Sequence, residues 1–278
     1  PHPTPPGFDM TTTFARATTV TPRGPGRYGV DLAREYSIMG AKPNGGYILA
    51  CLARATLHAA HEAGASQRQI IAATTQYLSS PDLGPAEITT AVDRIGRSAS
   101  QVTATIGTDG AVGVRAQFTL GTLHEASTPY WGAVPPVAMP PIEQCELLQM
   151  ADGREEQVLF DPATTFRVTS DGLVVTGDGE FRAWFRDDGA GMFDSVGLMY
   201  ASDVLPPATF GVLNTGWVPT LSLTVYNRAI PAPGPLQLRF RVQVIQDGYA
   251  DEALDAWDST GRLVMQATQL AALRLPQA

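Results

Sequence analysis

A strict two-residue alternation is the clearest pattern in this chain. Leu236, Leu238, Phe240, Val242 and Val244 alternate with Gln237, Arg239, Arg241 and Gln243, which predicts an antiparallel strand with one apolar face and one wet face. Thr220 to Arg228 and Thr74 to Tyr77 alternate too, and Leu263, Met265, Ala267, Gln269, Ala271 and Leu273 share one face of a last strand. Two stretches break this rhythm. Asn44 to Arg54 follows Pro43, Phe193 to Asp203 is stopped by Pro206-Pro207, and both read as helices. Asn44 and Asp194 are residue types that cap a helix N-terminus.

The elements recur in order. Residues 74–120 run through Gly84-Pro85, a strand from Glu87, Gly96-Arg97-Ser98, a second strand, a turn at Thr108-Asp109-Gly110 and a third strand through Gln117. Residues 220–273 repeat this with Gly234-Pro235, a strand from Leu236, Asp247-Gly248, a second strand, Asp258-Ser259-Thr260-Gly261 and a strand through Gln269. Gly84 to Gly234 is 150 residues (234 − 84), Gly110 to Gly261 is 151 and Gln117 to Gln269 is 152, while Asn44 and Asp194 are again 150 apart. A drift of one or two is what small loop insertions produce in a duplicated unit. Each copy starts with an early strand, Tyr28 to Leu32 or Glu180 to Arg186. The predicted class is α+β: two antiparallel sheets, each wrapped on a central helix, the arrangement called a double hot-dog. The units are expected at 8–123 and 158–275. Residues 124–157 hold Pro129, Pro135, Pro136, Pro140 and Pro141 and read as a proline-rich linker, ordered to loose, with the second unit carrying the acid discussed below.

Composition narrows the function. At 278 residues, 44% hydrophobic and 17% charged, the chain builds a real core. A net charge of −8 with no basic run argues against nucleic acid as a partner. Lys42 is the only lysine. Cys51 and Cys145 make neither a disulfide framework nor a CxxC metal motif, so a reducing, cytoplasmic setting is expected. Arg54 interrupts the longest apolar helix, so no membrane span is expected. The Pro1–Pro6 start lacks the features of a signal peptide.

Several residues carry candidate chemistry. Val196, Tyr200 and Asp203 fall on one helical face that is otherwise apolar, so the acid is paired, protonated or functional, or else sits exposed at the helix end. Placed in the last turn, its pKa would rise through desolvation and the negative end of the helix dipole, which suits a general base. Gln269 interrupts an apolar strand face; such an amide either caps backbone or holds a water or carbonyl. Thr220, Ser222 and Thr224 alternate onto one face, as site hydroxyls or simply as strand formers. Gly45 and Gly46 at a helix start either offer N–H groups to an oxyanion or permit close packing. Arg54, Arg97 and Arg228 are candidate phosphate contacts or solvated cations. His58 and His61 lack a third ligand at metal spacing, and no Gly-x-Ser-x-Gly elbow, P-loop or GxGxxG is present.

Over residues 20–275 the chain resembles a type II acyl-CoA thioesterase of the TesB type. The resemblance rests on Pro43-Asn44-Gly45-Gly46-Tyr47, Gly96-Arg97-Ser98, Tyr200-Ala201-Ser202-Asp203, Pro219-Thr220 and Gly261-Arg262-Leu263-Val264 leading to Gln269. It implies a double hot-dog hydrolase of acyl-CoA thioesters in which an Asp, a Thr and a Gln activate water. The Asp falls on Asp203 and the Gln on Gln269. Anchoring on Arg228 puts the Thr at Pro219, one residue before Thr220; a bulge would absorb the slip, and Thr224 stands in reserve. Gly45, Gly46 and Arg97 are expected at the substrate, with the glycines of one unit and the acid of the other sharing one cleft. The resemblance implies no metal or bound cofactor, coenzyme A as part of the substrate, and a homodimer or homotetramer. A non-catalytic acyl-CoA or acyl-carrier binding protein is the alternative on the same fold.

Overall fold

A computed structural model describes residues 13–38, 41–125, 127, 129–132, 134–147, 158–164, 167–169, 172–174, 178–186, 193–213 and 216–274. In the first half, strands β1 (Arg27–Leu32), β2 (Gln69–Tyr77), β3 (Gly84–Arg94), β4 (Ser100–Thr108) and β5 (Ala111–Gly121) curve around helix α1 (Gly45–Glu62). The second half repeats the set as β6 (Glu180–Phe185), α2 (Ser195–Ala201), β7 (Thr220–Asn227), β8 (Leu236–Gln246), β9 (Tyr249–Trp257) and β10 (Leu263–Ala272). The order is β1-β3-β4-β5-β2-β7-β10-β9-β8-β6 in one antiparallel sheet, with short edge strands at Thr21–Gly24, Val158–Phe160 and Glu146–Leu147. The two units are therefore one continuous sheet, joined where β2 pairs with β7.

α1 is buried nearly all round, from Gly46 through Leu57 and again at Ala59 and Ala60, which is what a helix enclosed by its own sheet must be. Both predicted caps form. Asn44 Oδ1 accepts the Tyr47 N–H at 3.0 Å, and Asp194 Oδ1 accepts from Val196 and Gly197 at 2.9 and 2.7 Å. α2 is far shorter, and the two helices pack against each other.

The register at the junction fixes a two-fold relation. Thr74 lies opposite Thr224, Gln76 opposite Ser222 and Ala72 opposite Tyr226; with 74 + 150 = 224, equivalent threonines face each other on the axis. Each half also carries the same bulge, between Ile70 and Ala72 against β5 and between Thr220 and Ser222 against β10. These registers correct one sequence landmark. Thr74 pairs with Gln117 and Thr224 with Thr268, so Gln117 is equivalent to Thr268 on the outer face. The partner of Gln269 in the repeat is Phe118.

The wet face expected along β8 holds at Gln243, which is exposed, and is corrected at Gln237. Gln237 is 6% exposed because the proline-rich segment lies across it. Gln237 Nε2 donates to the Val137 carbonyl at 2.5 Å, Trp257 Nε1 to Val134 at 2.8 Å and Trp184 Nε1 to Pro140 at 3.0 Å. Extended proline-rich chain makes no internal backbone hydrogen bonds, so its carbonyls are available to these side-chain donors. The described part of the linker is a strap, and the polar residues beneath it are its fasteners.

Arg54, 8% exposed, pairs with Asp194 at 3.3 Å and donates to Thr18 at 3.3 Å. Asp194→Ala removes both a cap and a charge facing a buried guanidinium, so denaturant unfolding is expected to show a loss of about 2 kcal/mol.

Candidate active site

α2 ends at Ala201, with Ser202 as its C-cap, and Pro206-Pro207 prevent further helix. The equivalent chain in α1 continues through Ala53 to Glu62. Asp203 thus lies beyond its helix, not in the last turn, and its carboxylate turns toward the other half. Its Oδ2 accepts the Gly46 N–H at 3.2 Å, and its carbonyl accepts from Asn44 Nδ2 at 2.7 Å. The acid that follows α2 therefore sits on the N-terminus of α1.

Only glycine permits this approach. A Cβ on Gly45 would lie 2.5 Å from Asp203 Oδ2 and 3.2 Å from the Tyr77 ring, and one on Gly46 would lie 2.5 Å from the Tyr200 carbonyl oxygen. Tyr77 closes the wall by donating its hydroxyl to the Gly45 carbonyl at 3.0 Å. Burial pushes the Asp203 carboxyl up to about 7, Glu252 adds to the rise, and the Gly45 and Gly46 N–H groups oppose it. The rise comes from desolvation rather than from its own helix end, and the α1 terminus pulls the other way.

The bulge decides which hydroxyl faces inward. Directly opposed residues share a sheet face. Thr220 lies opposite Ala271, on the face of buried Gln269, whereas Ser222 and Thr224 lie opposite Leu270 and Thr268 on the other face. The expected single face of three hydroxyls is thereby corrected: Thr220 alone reaches the interior, and Thr224 stays on the outer face at the two-fold axis. Thr220 Oγ1 lies 3.5 Å from Gln269 Oε1, a long contact, and Gln269 Nε2 donates to Glu252 Oε2 at 2.6 Å.

Asp203, Gly45, Tyr77, Thr220 and Gln269 line one cavity of about 1160 Å³, whose other walls include Ile48, Phe185, Tyr200, Leu205 and Trp217. The expected arginines are elsewhere. Arg97 is exposed in the β3–β4 loop, where its carbonyl accepts from Gln67 at 2.9 Å beyond the far end of α1 from Gly45. Arg54 is taken by Asp194, and Arg228 is exposed, bonded to Gln266 at 3.0 Å. Lys42 does line the cavity, paired with Asp82 at 2.5 Å. Glu252 was overlooked in the sequence, though it breaks the inward stripe Ala250, Leu254, Ala256 as Gln269 breaks its own.

The N-terminal domain of acyl-CoA thioesterases matches residues 32–121, and the C-terminal domain of that family matches residues 142–273. The structure is similar to that of a proposed thioesterase II from Thermobifida fusca, with a TM-score of 0.82 and 31% identity over 97% of this chain and 100% of that one. A hot-dog-fold protein of unknown function from Alicyclobacillus acidocaldarius superposes with a TM-score of 0.78 at 23% identity, covering 96% of this chain and 100% of the other. An uncharacterised protein of Mycobacterium tuberculosis is 28% identical over 263 residues, 85% of this chain and 88% of its own.

The close approach at the helix start yields a direct test. Gly46→Ala forces a methyl group against the Tyr200 carbonyl and is expected to cost about 2 kcal/mol on the scale of core overpacking, read by denaturant unfolding.

Proposed function

The chain belongs to the acyl-CoA thioesterase family, a double hot-dog thioester hydrolase, and within that family we propose that Asp203 is the general base for a water held between it, Thr220 and Gln269. The observation that carries this is the shared cavity, with a carboxyl raised to about 7 at one end and an apolar wall for an acyl chain beyond it. The water oxygen attacks the thioester carbonyl carbon while its proton passes to Asp203. The tetrahedral intermediate then expels the coenzyme A thiolate, which takes the proton back from Asp203, and the free acid leaves.

Gly45 and Gly46 have a different first role from the one their sequence suggests. In the resting site their N–H groups face the Asp203 carboxylate. As the proton moves, negative charge leaves that carboxylate and appears on the carbonyl oxygen beside it. The same helix terminus serves both charges in turn. Lys42, the one cationic side chain on the cavity wall among the described residues, suits the phosphate end of coenzyme A better than Arg97 does. These steps use only water and the chain's own residues. Among the described residues, no helix is long and apolar enough to cross a membrane. Assembly as a homodimer or homotetramer in the cytoplasm goes with this reading.

Asp203→Asn is expected to lower kcat on acyl-CoA at least about 100-fold, the scale of a lost general base, with the fold intact by circular dichroism. For the native enzyme the base must be deprotonated, so kcat/KM rises with pH through about 7 and levels above it. Near-native turnover by the Asn variant removes Asp203 from this role.

A further inference from the structure

The two-fold relation lets each site residue be compared with its counterpart in the first half. Asp203 stands where that half has Ala53, Thr220 where it has Ile70, and Gln269 where it has Phe118. A fourth polar side chain belongs to the set. Glu252 pairs across the sheet with Gln269 as Val102 pairs with Phe118. Ala53, Ile70, Val102 and Phe118 are all at most 1% exposed, so this architecture closes with an ordinary apolar residue at each of the four positions. A carboxylate at the Val102 position is costly to bury, and packing alone does not call for it.

Glu252 is 1% exposed. Its Oε1 accepts the Thr209 N–H at 3.2 Å, and its Oε2 accepts from Gln269 Nε2 at 2.6 Å. An ionised carboxylate is acceptor-only, whereas an amide has one donating end and one accepting end. Facing the carboxylate, Gln269 must present its NH₂ there, which leaves Oε1 toward Thr220 and the cavity.

Resting on the function proposed above, we infer that Glu252 is a positioning residue that fixes the Gln269 amide with its carbonyl oxygen toward the reacting water. The water then has two acceptors, Asp203 and Gln269 Oε1. With one hydrogen on each, its lone pair is left to face the thioester carbon. A reversed amide would offer donors, which claim that lone pair. Glu252 also ties the turn at Ala208–Gly211, which follows Asp203 by five residues, to the strand that carries Gln269. The groups facing Glu252 are Gln269 from β10, the Ala208 and Thr209 N–H groups from that turn, Asp251 on its own strand, and Asp203, whose carboxyl it helps to raise.

The test compares the native enzyme, Glu252→Gln, and the exchange Glu252→Gln with Gln269→Glu, on the same acyl-CoA. In Glu252→Gln the new amide turns its NH₂ to Gln269, which must reverse. The expected result is a kcat at least about tenfold lower with KM within about threefold, and an acid limb of kcat/KM moved to lower pH because a negative charge beside Asp203 is gone. The exchange returns an acceptor to the cavity and keeps the buried charge, so it is expected to recover at least about fivefold of the lost kcat. A Glu252→Gln enzyme with native kcat and an unmoved acid limb overturns the inference, as does an exchange no better than the single variant. If Glu252→Gln does not fold, the exchange decides: kcat within about tenfold of native supports the inference and a loss beyond about 100-fold contradicts it. Native protein inactive on every acyl-CoA would instead defeat the reading on which this rests.

Discussion

A carboxylate from one half of the molecule rests on the helix N-terminus of the other, and most of the site follows from that contact. Asp203 can reach α1 because α2 stops after seven residues and because Gly45 and Gly46 carry no side chain in the gap. The contact sets two opposing influences on one group. Burial disfavours the charged carboxylate, while the N–H groups of α1 favour it. Burial prevails, which leaves a base poised near neutrality and not a permanently charged acid.

Duplication supplies both partners in this contact. The first half contributes the helix start and Tyr77, and the second contributes the acid, hydroxyl, amide and buried Glu252. At the related location in the other half, Ala53, Ile70, Val102 and Phe118 fill the interior. There the N-cap of α2 meets Arg54 of α1 in a half-buried ion pair. One of two equivalent locations is thus a cavity and the other is core. The strand register is the same at both, and the residues it turns inward distinguish them, since the same bulge presents Ile70 in one half and Thr220 in the other.

Much of this was legible in the sequence, because period-two alternation and repeat spacing report directly on sheet faces and duplicated units. The caps at Asn44 and Asp194 and the interruptions at Asp203 and Gln269 were visible as local chemistry. What escaped was set by pairing across strands. A bulge absorbing the slip at Thr220 was expected, but that it leaves Ser222 and Thr224 on the outer face is a property of β7 against β10. The alignment of Gln117 with Gln269 was off by one residue, and a slip of one changes the face. Gln237 looked like a wet strand position because nothing local shows that a proline-rich strap lies over it. Arg97 belongs to a sequence fragment shared with the family, yet the fold carries it to the far end of α1. Glu252 was detectable by the argument that singled out Gln269.

The central claim concerns the protonation of a single carboxyl. An infrared difference titration of native protein against Asp203→Asn isolates the C=O stretch of that group. The account predicts a band that appears as pH falls with a midpoint at about 7. A midpoint in the ordinary carboxylate range would show that burial does not prevail over the N–H groups of α1 and would contradict the account.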